Sequence, residues 1–342
     1  MITVCNPPYQ EESRGDTSNY ARPVYHKFLE AFYKTTDRVL VIHPARCLFN
    51  AGATPKDFNE KILSDEHFKV AIYEPDGKKV FPKANVDIKG GVVVTYRDAN
   101  KNFGAIEIYI PFDELKSIYR KVVVDNKNFR PFTEIMCTQK LYKFSRKFFD
   151  ENPGVQNLLT DGRTLKTNIF ERLPHLFTVE KPADGHEYAK FFGLYQMKRT
   201  SRFFRADWVD DNINFRKYKV FIPEAYGSGS LYENGPTMLV GLPLVGCTET
   251  FTSAGAFDSA AEADNCMKYI KTKFARAMLG IIKVTQHASP EIWAKVPLQD
   301  FGAGSDIDWR ATVHKIDKQL YRKYGLAAGE IEFIESKVKA MV

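Results

Sequence analysis

The 342-residue chain holds no apolar run near the ~20 residues a helix needs to span a bilayer, so no membrane-spanning helix is expected in it. No basic-then-apolar stretch opens it, so no secretory signal is expected. It has no CxxC pair. Its five cysteines (Cys5, Cys47, Cys137, Cys247, Cys266) are scattered, which argues against a zinc site or a disulfide framework. Reduced thiols in a cytoplasm are the expectation. Internal repeats and low-complexity stretches are missing too. What remains is 44% hydrophobic and 27% charged, the balance of a soluble globular protein, with length enough for two domains.

The expected fold class is α/β. Near the N-terminus strands and helices alternate: a stub Ile2–Cys5, a helical pattern over 20–36, a strand RVLVIH (38–43) of the buried parallel type, and a helix opened by Thr54-Pro55 with Thr54 as its cap. Strands at 68–73 and in GGVVVTY (90–96) complete a doubly wound layer. Further on, shorter strands are punctuated by Gly and Pro, and one long helical pattern runs over 259–286. The tail is helical and charged, with a break at Gly325. The expected organisation is a domain over 1–110, an α+β domain over 111–305 and a helical tail over 306–342.

The stretch VCNPPYQ (4–10) stands apart. Two prolines cannot continue a strand, so the backbone must stop and turn. A conjugated exocyclic amine is a poor nucleophile because its lone pair is delocalised. Two acceptors on its N–H groups hold it in place and draw it toward tetrahedral geometry. The Asn6 side chain and the Pro7 backbone carbonyl, stiffened by Pro8, can supply them. Tyr9 offers a ring on which a flat base can stack after leaving the duplex.

Asn6-Pro7-Pro8-Tyr9 followed by Gln10 resembles the catalytic motif of adenine-specific DNA methyltransferases of restriction–modification systems, which methylate the N6 amine from S-adenosylmethionine. RVLVIHPARCLFNAG resembles the next strand and loop of that family. KVFP (79–82) resembles a later loop, which implies that Phe81 is a second base-stacking residue. VPLQDF (296–301), DIDW (306–309) and LYRKYGL (320–326) resemble the C-terminal end of the large type II enzymes. The resemblance implies a partial Rossmann-like methyltransferase sheet over 1–110, followed by a target-recognition domain. It implies double-stranded DNA as partner, base flipping, S-adenosylmethionine as donor in the complete enzyme, and no metal.

One family feature is missing: a Gly-rich cofactor turn upstream of the motif. AYGSG (225–229) follows a strand-like run, but SLYENGP opens no helix after it, so it reads as a surface or DNA-facing loop. The chain therefore resembles half of a methyltransferase, inactive alone. A separate cofactor-binding subunit, a truncated copy, and self-association through the open sheet edge all remain open.

Basic residues interleaved with aromatics mark three further stretches, QMKRTSRFFR (196–205), NFRKYK (214–219) and KYIKTKFAR (268–276). Within a formal net charge of +7, Lys198, Arg199, Arg202, Arg205, Arg216, Lys217, Lys219, Lys271 and Lys273 are the expected DNA contacts. Two other readings stand beside the methyltransferase. One is a non-catalytic DNA-binding specificity module. The other is a metal-dependent restriction nuclease using Asp76, Asp87 and Lys89. His26 and His43 lack ligand spacing and are expected to be structural.

Overall fold

Alternating β-branched residues in RVLVIHP put Val39, Val41 and His43 on a buried face, and this strand is the centre of the first sheet. The computed structural model describes residues 1–11, 22–49, 53–82, 88, 90–159, 162–227, 235, 237–283 and 289–341. These fall into two compact units, one formed mainly by Met1–Lys116 and the other by Ser117–Gly227 and most of the chain after it.

In the first unit β1 (Ile2–Cys5) lies parallel to β2 (Arg38–Pro44), with α1 (Tyr25–Thr35) between them in sequence. α2 (Lys56–Ser64) leads from β2 to β3 (Phe68–Glu74). Only a one-turn helix, α3 (Gly77–Val80), separates β3 from β4 (Val92–Asp98). β4 therefore runs back, antiparallel to both β2 and β3, and the sheet order is β1-β2-β4-β3. The expected α/β sheet is thus a mixed one, parallel between β1 and β2 and antiparallel on both sides of β4. The return needs Gly91: with φ +83° it approaches β3 so closely that a Cβ would lie 2.4 Å from the Glu74 carbonyl oxygen.

Leu29, Val41, Phe58, Ile62, Phe68 and Val93 build the core of this unit. Thr54 does not cap α2: its hydroxyl instead meets the buried Tyr25 hydroxyl at 2.7 Å. The first helical pattern begins at Tyr25 rather than at Tyr20, which lies outside the described residues. Pro23, just before it, bridges to Gln10.

The second unit begins at Ser117, within α4 (Asp113–Tyr119), which is continued by a π-helical turn, Arg120–Val124. β5 (Met136–Cys137), α5 (Arg146–Glu151) and α6 (Ile169–Arg172) precede a regular hairpin of β6 (Tyr188–Tyr195) and β7 (Lys198–Arg205). β8 (Tyr218–Pro223), β9 (Leu239–Gly241), β10 (Val245–Cys247) and β11 (Phe251–Phe257) follow. They form two sheets, β10-β6-β7 and β5-β11-β8-β9. Stacked rings fill the core between them: Phe144 on Phe148 at 4.2 Å and Phe177 on Phe204 at 4.4 Å between centroids.

The long helix expected over 259–286 is two helices, α7 (Ala260–Lys271) and α8 (Lys273–Leu279). They break at Thr272, whose extended backbone frees its hydroxyl to accept the Ala275 N–H at 3.1 Å. Residues 284–288 lie outside the described residues. α9 (Val313–Lys323) and α10 (Ala328–Lys337) form the tail, turning at Gly325 with φ +60°. They pack within the second unit, where Tyr324 stacks on Phe274 at 5.0 Å.

Candidate functional site

β1 ends at Cys5, and Asn6–Tyr9 leave the sheet directly from its end. Pro7 is buried, Asn6 and Pro8 are exposed, and Tyr9 is half-buried. The chain beyond is tied to the entrance of α1: Val24 N–H donates to the Tyr9 carbonyl (3.1 Å) and Glu11 N–H to the Arg22 carbonyl (2.9 Å). Neither the Asn6 side chain nor the Pro7 carbonyl has a hydrogen-bond partner among the described residues. Two acceptors in one rigid turn are thus left uncommitted.

Phe81 follows α3, which comes after β3, the strand at the opposite edge of the sheet from β1. The Asp76 carboxylate caps α3 by accepting the Lys78 N–H (3.0 Å), and Phe81 N–H closes the turn on the Gly77 carbonyl (2.9 Å). This sets the Phe81 ring edge-to-face with Tyr9, centroids 6.4 Å apart and planes at 64°. The structure therefore brings together the two aromatic residues singled out in the sequence. The Tyr9 hydroxyl is buried without a partner among the described residues, and burial pushes its phenol up to about 12. It remains a neutral donor across the physiological range.

His43 and His26 serve the core. His43 is fully buried, stacked on Tyr25 at 5.3 Å between centroids. Its Nδ1 lies 3.0 Å from the Pro44 carbonyl, which can only accept, so the proton belongs on Nδ1. Nε2 lies 3.0 Å from the Thr95 hydroxyl. Burial lowers the His43 pKa to about 4. His26 is buried beside Phe58 and its pKa is lowered, chiefly by burial. Of the nuclease candidates, Asp76 serves as the α3 cap, while Asp87 and Lys89 lie outside the described residues. Among the described residues no group of three acidic, His or Cys side chains could hold a metal ion.

The expected DNA contacts divide by environment. Lys198 and Arg199 are exposed, with no acidic partner among the described residues; Arg199 lies over the Phe251 ring. Arg216 and Lys217 are exposed but paired with Glu187 and Asp258, pairs worth under about 1 kcal/mol at the surface. Arg202 is half-buried, lies over the Tyr195 ring and bonds to Thr200 and Ser201. Lys271, half-buried at the end of α7, also has a partner.

Three of the expected contacts are engaged within the fold instead. Lys219 is fully buried, its ammonium donating to the carbonyls of Phe215, Lys217 and Leu242 at 3.4, 3.0 and 2.9 Å. Burial lowers its pKa to about 7. Arg205 packs on Trp208 and is held by Glu151 and Asp207, and Lys273 is held by Glu335 at 2.6 Å. These three cations are engaged in holding the fold together.

Two features escaped the sequence reading. His314, Lys318 and Arg322 recur every four residues along an exposed face of α9 and line a groove of about 680 Å³ with Leu326 and Ile331. The signal was present as an i, i+4, i+8 spacing in the tail. The other is the tip of the β6–β7 hairpin, Gln196-Met197, where both residues have positive φ (49° and 62°). Hairpins of this turn type are usually announced by Asn-Gly, which is missing.

In the first unit, no glycine turn among the described residues leads from a strand into a helix of more than one turn. Those residues do not build a dinucleotide-type cofactor cradle. Of AYGSG only Ala225–Gly227 is described, with Gly227 at φ +64°.

Residues 2–81 match the Eco57I restriction-modification methylase family. The first unit thus carries a restriction-modification methylase-like segment, and the motif turn, α3 and Phe81 all fall inside it. No curated protein matches the chain significantly. Among solved structures it is similar to the type IIG restriction endonuclease BpuSI, with 12% identity over 88% of this chain and 46% of that one and a TM-score of 0.36. It is also similar to the type IIL restriction-modification enzyme MmeI in complex with DNA (9%, 98% and 56%, TM-score 0.41). A third is the ATP-dependent type ISP enzyme LlaBIII bound to DNA (10%, 98% and 29%, TM-score 0.32). The chain spans 29–56% of the length of these enzymes. No helix among the described residues is long and apolar enough to cross a membrane.

Proposed function

We propose that the chain is the catalytic-loop and target-recognition portion of a site-specific N6-adenine DNA methyltransferase of a restriction–modification system. The observation that carries this reading is the meeting of Tyr9 and Phe81 beside a motif turn whose acceptors are free, inside a segment that matches a methylase family. An adenine flipped from the duplex would lie against the two rings. The Asn6 side-chain carbonyl and the Pro7 backbone carbonyl would each accept one N–H of its amine, localising the lone pair on nitrogen as the methyl group arrives. The Tyr9 phenol, neutral and unpartnered, is free to donate to a polar atom of the bound base.

In the complete enzyme S-adenosylmethionine would be the methyl donor. The described residues do not cradle it, so the chain alone is expected to be inactive. The outer edge of β1 has no strand beside it among the described residues, and Ile2 and Val4 are exposed there. A cofactor-binding subunit or a second copy of the chain would pair along that edge.

Transfer of labelled methyl groups from S-adenosylmethionine to unmethylated DNA, with the product nucleosides identified, tests the reading. A folded chain that binds DNA but transfers nothing is the expected result. N6-methyladenine formation abolished by Asn6→Ala would uphold the site and overturn the inactivity. Absence of any DNA binding, or methylation at another atom, would overturn the function.

A further inference from the structure

We propose that the tip of the β6–β7 hairpin is a DNA wedge, with Met197 laid against a base step and Lys198 and Arg199 on the flanking phosphates. The inference rests on the reading that this chain handles DNA. It starts from an unfavourable backbone. Gln196 and Met197 both hold positive φ, a conformation that Asn, Asp and Gly adopt readily and unbranched side chains resist. The turn is nonetheless held firmly. All eight residues of β6 pair with all eight of β7, and the Glu171 carboxylate accepts the Gln196 N–H at 2.6 Å.

The fold gains no packing from this tip. Met197 is 88% exposed, the second most exposed of the large apolar residues among those described. Strain kept at a position that contributes nothing to the core marks a functional contact. The neighbours indicate its chemistry. Lys198 and Arg199 follow directly and have no acidic partner among the described residues, so both charges are available to phosphates. A two-stranded ribbon is narrow enough to enter a DNA groove. An unbranched, polarisable thioether at its apex can insert between stacked bases, as apolar wedges do in proteins that kink DNA.

The test uses the full chain and a duplex that it enriches from a randomised pool. Gln196→Asn combined with Met197→Gly installs the dipeptide this turn prefers, keeps Lys198 and Arg199, and removes the wedge. Unstacking is read by permanganate reactivity of thymines, or by 2-aminopurine fluorescence at steps without thymine. The parent chain is expected to create an unstacked step inside its footprint, and the double variant to keep the footprint and lose that signal. An unstacking signal unchanged in the variant, or absent from the parent despite a footprint, overturns the wedge and leaves DNA binding standing. If no duplex is enriched and no footprint forms, DNA binding and the wedge fall together.

Discussion

His43 shows what a single buried titratable group does to this protein. Its ring is enclosed between Tyr25 and Thr95 and its pKa is held near 4, below the ordinary value of 6.5. Between those values the unfolded chain binds a proton that the folded chain does not. The contribution to stability is therefore complete above about pH 6.5 and is lost as pH falls through 6.5 toward 4, amounting to about 3 kcal/mol. His26, also lowered, acts in the same direction. Urea unfolding of the first unit, followed by circular dichroism between pH 7 and 4, should show this loss. His43→Gln should flatten it, whatever its effect on absolute stability. Equal slopes for the two proteins would show that His43 is not responsible.

Elements follow the same logic, with partners that lie far apart in sequence. The first N–H groups of α8 are satisfied by Thr272 and by Asp317, whose carboxylate accepts Lys273 N–H (3.1 Å) and Phe274 N–H (2.9 Å). Thr272→Ala removes a buried cap that also donates to the Tyr269 carbonyl (2.6 Å). It should destabilise the second unit by about 1–2 kcal/mol, read as a shift in urea midpoint. An unmoved midpoint would mean that Asp317 alone holds the break. The break was not legible in the sequence because its second cap comes from α9, and the apolar spacing runs through Thr272 without interruption. The strands of the first unit were legible, since β2, β3 and β4 carry their own apolar patterns. The direction of β4 was not, because it depends on the short path from β3 and the close approach of Gly91. Tyr9 and Phe81 were marked by family resemblance; no spacing rule connects positions so far apart.

At the scale of the whole molecule, a net charge of +7 does not say which cations can meet DNA. The sequence reading counted basic residues near aromatics; the structure separates those already neutralised from those still free. Arg205 against Glu151, and Lys219 against the Leu242 carbonyl, were illegible because those partners lie far away in sequence. Only a cation that displaces counterions from phosphate contributes to the salt dependence of binding, by about −0.9 in the slope of log Kobs against log salt for each contact. Lys198→Ala with Arg199→Ala should therefore make the slope shallower by about 2. Arg205→Ala removes a cation that never reached a phosphate, so it should lower stability and leave the slope unchanged. Binding isotherms of the three proteins on one duplex over a range of salt concentrations decide the matter. A slope that changes with Arg205 and not with Lys198 and Arg199 would reverse the assignment and move the DNA away from the hairpin tip.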